Sequence, residues 1–146
     1  MPYRLSVTAN TVSQVIARAY EEKHALAPQQ WRVIAVLAEG GELTQQELVK
    51  ATRSDKVTIS RAAQALEQRG LLRRVQNAED ARSLRLSLTA AGRTIYDDVV
   101  PAALLGQRAV LEGLSVAEQA TLEALLARVL AAAEVALRGP PPRKPR

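Results

Sequence analysis

In the middle of the chain, apolar residues first recur at helical spacing and then alternate with polar residues. This order predicts a helix followed by a short β-ribbon. Four apolar residues recur at three- and four-residue steps, the period of one buried helix face. They are Ile59, Ala62, Ala63 and Leu66. Three leucines then alternate with polar residues, the pattern of a strand with one buried face. They are Leu84, Leu86 and Leu88, between Ser83, Arg85 and Ser87. The stretch from Leu72 to Val75 is the candidate partner strand.

Capping signals place a second short helix before this one. Thr44-Gln-Gln-Glu47 matches a capping box, which predicts a helix over about 45–51. Ser54 is the candidate cap of the next helix, with Asp55 at the positive end of its dipole. Gly70 suits the left-handed position that often follows a helix. Two helices joined by a tight turn and followed by a ribbon are the layout of a winged helix-turn-helix, which carries polar side chains to DNA base edges.

Longer helices are predicted on both sides of this region. A first helix spans about Leu5 to His24, and Pro28 suits the first turn of a second helix, which ends before Gly40-Gly41. The glycine pair lacks the spacing of a phosphate-binding loop and is interpreted as a turn.

The C-terminal half contains two more predicted helices. Thr89 caps a helix that extends to about Gly113, with a bend expected at Pro101. Ser115-Val-Ala-Glu118 is a second capping box, and a leucine-rich helix follows it.

The composition limits which kinds of functional site the chain can form. The 146 residues include no cysteine, and His24 is the only histidine, so the sequence predicts no metal site, no cofactor and no enzymatic activity. Charged or polar residues interrupt every long apolar run, and the N-terminus lacks the apolar core of a signal peptide. We therefore expect a cytoplasmic protein without membrane contact.

Positive charge is concentrated where the winged region is predicted. The chain carries +5 in total, and nine basic against five acidic residues lie between Thr44 and Leu88. Phosphate neutralisation requires such a concentration, although an ordinary basic surface would look the same.

The polar face of the helix after Ser54 carries side chains suited to the major groove. Lys and Arg grip guanine, hydroxyls donate or accept, and a Val or Thr methyl contacts the thymine methyl. These residues are Lys56, Val57, Thr58, Ser60, Arg61 and Gln64. Any solvated helix face shows such residue types, so the evidence depends on the capped helix before it and the ribbon after it.

Arg82 lies in the polar loop between the two strands, next to Glu79 and Asp80. An Arg on such a loop can enter a narrow minor groove. Asp80 either holds the guanidinium in a bidentate pair or forms a surface ion pair of little energetic value. The sequence leaves both possibilities open.

The order and spacing of several motifs resemble the MarR family of bacterial transcription regulators. They are Leu43-Thr-Gln-Gln-Glu-Leu48, Asp55-Lys-Val-Thr-Ile-Ser-Arg61, Leu66-Glu-Gln-Arg-Gly70, Asp80-Ala-Arg-Ser83 and Leu88-Thr-Ala-Ala-Gly92. The resemblance covers about residues 5–137. It implies a homodimer that binds a pseudo-palindromic site on double-stranded DNA, commonly represses nearby genes and releases DNA when a small aromatic or anionic effector binds. It also places Arg82 at the wing tip with Asp80 as its acidic partner, while Ala81 stands where relatives often have a second basic residue.

The expected fold is mainly α with a small β-wing. It is one domain over 1–138, in which 28–89 form the winged helix DNA-binding region and 5–27 and 90–138 form dimerisation helices. A basic, proline-rich tail over 139–146 is expected to be disordered. The candidate DNA-binding residues are Thr44, Ser54, Lys56, Val57, Thr58, Ser60, Arg61, Arg74, Asp80 and Arg82.

Two further expectations concern partners. The last helix carries an apolar stripe at Leu122, Leu126 and Val129 that an isolated chain would expose, which favours a dimer over packing within one chain. Tyr20 and Trp31 could line an effector pocket, although core packing is the more ordinary fate of such rings. The predicted function is sequence-specific transcription regulation. The alternative is a winged-helix module for protein contact without specific DNA binding.

Overall fold

The computed structural model describes residues 1–139, so all of the tail predicted over 139–146 except Gly139 lies outside the described residues. Six helices and three strands follow one another in it. They are α1 (Pro2–His24), α2 (Pro28–Gly40), β1 (Leu43–Thr44), α3 (Gln45–Thr52), α4 (Lys56–Gln68), β2 (Leu72–Gln76), β3 (Leu84–Leu88), α5 (Ala90–Leu111) and α6 (Val116–Arg138). The prediction of a mainly α fold with a small β-wing is confirmed.

The chain divides into two compact units, one over Met1–Gln107 and one from Arg108 onward. The first unit contains the hydrophobic core. Its largest fully buried side chains include Ile34 of α2, Leu48 of α3, Ile59 and Leu66 of α4 and Leu86 of β3. The core therefore fixes the α3–α4 pair against the sheet and against α2.

The sheet is antiparallel, with strand order β1-β3-β2. β1 is only two residues long and was absent from the sequence-based prediction. It pairs Leu43 with Leu86 and Thr44 with Arg85. Because Thr44 also caps α3, this short pairing ties the start of the helix-turn-helix, formed by α3 and α4, directly to the wing. The wing is the hairpin of β2 and β3 with the loop between them.

The alternation expected along β3 is only partly present. Leu86 is fully buried, but Leu84 is 48% exposed and Ser87 is buried. Leu84 pairs with Gln76 at the far end of the hairpin, next to the exposed loop. Ser87 is buried beside Arg73, whose Nε donates to its Oγ at 3.0 Å.

Gly92 lies where the first turn of α5 passes the backbone that precedes β2. A Cβ on Gly92 would lie 2.1 Å from the carbonyl O of Leu71. Thr89 fixes this approach, since its Oγ1 accepts from the Gly92 N–H at 3.1 Å and donates to the Gly70 carbonyl at 2.7 Å. The prediction that Thr89 caps this helix is therefore confirmed, and Gly70 has the expected positive φ of 71°.

In the second unit, α6 begins as predicted. Ser115 Oγ accepts from the Glu118 N–H at 3.3 Å, and Glu118 Oε2 accepts from the Ser115 N–H at 2.8 Å. Between Val116 and Arg138 no residue is buried. The apolar stripe of α6 is therefore solvent-exposed in a single chain, with Leu126 at 47% and Val129 at 51%.

Candidate nucleic-acid interface

The turn between α3 and α4 sets the direction of the second helix. Arg53 ends α3 in the left-handed region with φ 51°. The cap of α4 is Asp55, whose Oδ1 accepts from the Thr58 N–H at 2.8 Å. The prediction that Ser54 caps α4 is wrong. Its hydroxyl is directed elsewhere, to Gln29 Oε1 at 3.2 Å and to the Thr52 carbonyl at 3.3 Å, and so ties the turn to α2.

The start of α3 is held by the capping box that the sequence predicted. Thr44 Oγ1 accepts from the Glu47 N–H at 3.2 Å, and the Thr44 N–H donates to Glu47 Oε2 at 2.7 Å. These hydrogen bonds, the backbone one first, hold the pKa of Glu47 below its ordinary value. Thr44 is thus fully engaged in positioning α3.

The two faces of α4 separate as the periodicity predicted. Ile59, Ala62, Ala63 and Leu66 are all buried. The opposite face carries Lys56 and Arg61, which are exposed, Val57, which is 57% exposed, and the half-buried Thr58 and Ser60. Among the described residues, no hydrogen bond or ion pair engages the side chains of Lys56 or Arg61. Both cations are therefore available to an external anion.

A shallow depression of about 650 Å³ lies between α3 and α4. It is lined by Gln45, Gln46, Val49, Lys56 and Ser60. Gln45 and Gln46 were absent from the candidate site residues. Their position in the first turn of a capped helix was the available signal, because backbone N–H groups there attract phosphate.

The wing places Arg82 in the loop between β2 and β3, where it is exposed. Asp80 Oδ1 accepts from the backbone N–H of Arg82 at 3.0 Å, and the Asp80 carbonyl accepts from the Ser83 N–H at 3.0 Å. Among the described residues, no ion pair joins Asp80 to the Arg82 guanidinium. Asp80 therefore shapes the loop through the backbone, and neither of the two ion-pair interpretations holds.

Other arginines near the wing are engaged within the chain. Arg74, a candidate contact, donates through Nε to Glu67 Oε2 at 3.0 Å and so links β2 to α4. Arg85 of β3 donates to the Glu42 carbonyl. These contacts hold the wing against the helix-turn-helix, and they leave fewer arginine side chains free for phosphates than the count of basic residues indicated.

Arg69 connects the end of α4 to the end of α1. Its Nη2 donates to the His24 carbonyl at 2.6 Å, and its Nη1 donates to the Ala25 carbonyl at 3.2 Å. On α1, His24 Nε2 and Lys23 Nζ each lie 2.7 Å from a carboxylate oxygen of Asp98 on α5. Hydrogen bonds from Lys23 and then His24 hold the pKa of Asp98 below its ordinary value. α4 is thereby attached to the end of α1, which is in turn attached to α5.

Three aromatic rings stack between α1, α2 and α5. The ring centroids of Tyr20 and Trp31 lie 5.5 Å apart, and those of Trp31 and Tyr96 lie 5.8 Å apart. Arg93 lies over Tyr96 at 5.3 Å, and the Tyr96 hydroxyl donates to Glu39 Oε1 at 3.1 Å. Burial is the first cause that raises the pKa of both tyrosines, so both phenols are neutral at physiological pH. Tyr20 lies in the core and Trp31 packs against it, as the core-packing alternative for these rings expects. Their role in an effector pocket stays a prediction.

Over residues 1–139, the acidic and histidine side chains form no group that could hold a metal ion. No helix in that range is long and apolar enough to cross a membrane.

Comparisons with known proteins agree with this geometry. The model of the MarR family matches residues 26–83. The chain is 30% identical to the HTH-type transcriptional regulator PecS of Dickeya dadantii, over 84% of this chain and 77% of PecS. Among solved structures, NadR in complex with 4-hydroxyphenylacetate is 26% identical, with a TM-score of 0.74 over 87% of this chain and 89% of NadR. The Staphylococcus aureus MepR–DNA complex shares the fold, with a TM-score of 0.81 at 21% identity over 90% of this chain and 97% of MepR.

These matches define a winged helix-turn-helix regulator of transcription. The chain belongs to the MarR family. The resemblance inferred from the motifs is confirmed, and DNA-binding regulation is favoured over the protein-contact alternative.

Proposed function

We propose that this protein is a homodimeric repressor that binds a pseudo-palindromic operator through α4 and the wing and releases it on binding an aromatic acid. The observation that carries the proposal is the exposed face of α4. Lys56 and Arg61 point away from a helix face that is fully buried through Ile59 and Leu66. A cationic helix held rigidly on a core, beside a β-hairpin, is the geometry that enters a major groove.

The contacts we assign follow from which side chains remain available. Lys56 and Arg61 would bind guanine O6 and N7 or phosphates, while Val57, Thr58 and Ser60 would face base edges. Arg82 at the wing tip would enter the adjacent minor groove. Four candidate residues already form hydrogen bonds or ion pairs within the chain, and we assign them to positioning the DNA-contacting elements. These are Thr44, Ser54, Arg74 and Asp80.

Dimerisation is supported by the exposed apolar residues of the long helices. On α6, Leu122, Leu126 and Leu130 are between 38% and 47% exposed, and they recur on one helix face. Covering such a stripe is the ordinary reason for a soluble helix to carry it. We expect Leu126→Glu combined with Leu130→Glu to give monomers in light scattering, whereas Glu123→Gln at an exposed position of the same helix should leave the dimer intact.

Repression is the expected consequence where the two half-sites, one helical turn apart, overlap the promoter DNA that polymerase must contact. We further propose that the protein acts in the cytoplasm and has no catalytic role. A lone histidine and the lack of cysteine leave few groups for catalysis.

The effector part of the proposal is supported by the stacked rings of Tyr20, Trp31 and Tyr96 and by the aromatic acid in the NadR complex. Because Trp31 is the only tryptophan, its fluorescence reports directly on this region. Titration with 4-hydroxyphenylacetate should change that emission in a saturable manner and lower the affinity for DNA. An unchanged emission up to millimolar concentrations, together with unchanged DNA binding, would remove this aromatic acid as the effector.

Binding to DNA is tested by fluorescence anisotropy with the DNA upstream of the gene and with random DNA, each at several salt concentrations. The wild-type protein should prefer the upstream DNA, and its affinity should fall steeply with salt. Arg61→Ala should weaken binding, while Arg32→Ala is the matched control. Arg32 is an exposed arginine of α2 and is not among the residues assigned to DNA contact. Equal affinity for both DNAs would contradict sequence-specific regulation.

A further inference from the structure

Thr58 is held by Asp55 through two hydrogen bonds instead of one. The Thr58 N–H donates to Asp55 Oδ1 at 2.8 Å, as in any capped helix, and the Thr58 hydroxyl donates to Asp55 Oδ2 at 2.5 Å. Both oxygens of the cap are thus engaged by a single residue in the first turn of α4.

The direction of the second hydrogen bond is fixed by the chemistry of the carboxylate. The Thr58 hydroxyl and then its N–H hold the pKa of Asp55 below its ordinary value, so the side chain is ionised at neutral pH. An ionised carboxylate only accepts hydrogen bonds. The hydroxyl proton therefore points from Thr58 to Asp55, which leaves Thr58 with acceptor lone pairs and its methyl group.

Ser60, the other hydroxyl side chain of α4, provides the contrast. Its hydroxyl has no hydrogen-bond partner among the described residues, so it can turn to donate or accept. Of the two hydroxyl side chains of α4, only that of Thr58 is restricted in this way. The first turn is also the part of a recognition helix that contacts base edges.

We propose that Asp55 is a positioning residue for base selection: it fixes Thr58 as a hydrogen-bond acceptor, so that α4 selects an amino-bearing base, adenine or cytosine, at the position facing Thr58. In the major groove, adenine N6 and cytosine N4 are the donors, whereas guanine and thymine present only acceptors at the corresponding edge. An acceptor facing an acceptor is repelled, and the mismatch costs about 5- to 150-fold in affinity. This inference rests on the proposed DNA-binding function.

The test selects binding sites from a randomised DNA pool with four proteins. The wild-type protein should enrich one position per half-site in adenine or cytosine. Thr58→Val keeps the shape and removes the hydroxyl, so that position alone should lose its preference. Thr58→Ser keeps the hydroxyl and should retain it.

Asp55→Asn is the decisive variant. Asn caps helices as well as Asp does, and its amide group can donate to Thr58 Oγ1, which frees the hydroxyl proton for an acceptor on DNA. The selected base at that position should therefore change to guanine or thymine, with the other positions unchanged. Circular dichroism melting of each variant confirms that it folds.

The outcomes separate the inference from the function on which it rests. If the wild-type protein enriches an operator and Asp55→Asn enriches the same base at every position, the positioning role of Asp55 is wrong and DNA-binding regulation stands. If the folded wild-type protein enriches no sequence, both the inference and the proposed function fail.

Discussion

The backbone carbonyl of Leu71 lies so close to Gly92 that no side chain fits between them. A Cβ at Gly92 would be 2.1 Å from that oxygen, and the neighbouring atom is backbone rather than a flexible side chain. The contact lies where the wing meets α5. The short distance between the two backbones therefore fixes the position of the wing against the first turn of α5.

Gly92→Ala should therefore destabilise the fold by about 1–3 kcal/mol, the usual cost of overpacking, and lower the melting temperature by several degrees. Gly113→Ala is the control, because a Cβ there meets no atom of the described structure within 4 Å. Equal melting temperatures for both variants would show that α5 moves away from β2 at little cost.

Arg82→Ala should weaken DNA binding by about tenfold or more, since a charge-assisted hydrogen bond contributes roughly 1.5–3 kcal/mol. It should also make the salt dependence shallower by about one counterion per lost contact. The dimer should remain intact in light scattering. The same affinity as wild type at every salt concentration would contradict the placement of Arg82 in the minor groove.

Asp80 shapes the wing loop by accepting a hydrogen bond from the backbone of Arg82. Substituting it by Ala and by Asn distinguishes the effect of this hydrogen bond from the effect of the negative charge. Asp80→Ala removes the acceptor of the Arg82 N–H and should weaken DNA binding by about two- to tenfold. Asp80→Asn retains a side-chain oxygen for that N–H, so its affinity should match or exceed wild type. An equal loss in both variants would indicate that the negative charge, and not the turn, is what matters.

The capping box of α3 makes stability depend on pH in the acidic range. The pKa of Glu47 is lower in the folded chain than its ordinary 4.5. The stabilisation is therefore fully present above pH 4.5 and is lost as the pH falls through the lower, folded value. Glu47→Gln keeps an acceptor for Thr44 but cannot ionise. The difference in melting temperature between wild type and Glu47→Gln should shrink between pH 7 and pH 3, and a constant difference would contradict this account.

Local patterns in the sequence predicted the features that depend on neighbouring residues. The Thr44–Glu47 and Ser115–Glu118 capping boxes and the buried face of α4 are examples, because each is contained within one or two turns of helix. The cap of α4 was misplaced by one residue. Ser54 and Asp55 can both cap, but the Ser54 hydroxyl is hydrogen-bonded to Gln29 and to the Thr52 carbonyl, which leaves Asp55 as the cap.

Contacts between distant parts of the chain could not be predicted from local sequence patterns. The Arg69–His24 contact spans 45 residues, and the Arg74–Glu67 pair joins a strand to a helix. β1 has only two residues and no period of its own. The wing motif around Gly92 was recognised as a family pattern, but its physical reason became visible only with the position of the Leu71 carbonyl.

The most direct test of the account is the stoichiometry and symmetry of the complex with DNA. Light scattering of the complex with a selected operator should give two chains per duplex. Hydroxyl-radical footprinting should protect two half-sites centred about 10 base pairs apart and related by a two-fold axis. A single chain per duplex, or protection confined to one half-site, would contradict a homodimer that places two α4 helices in successive major grooves.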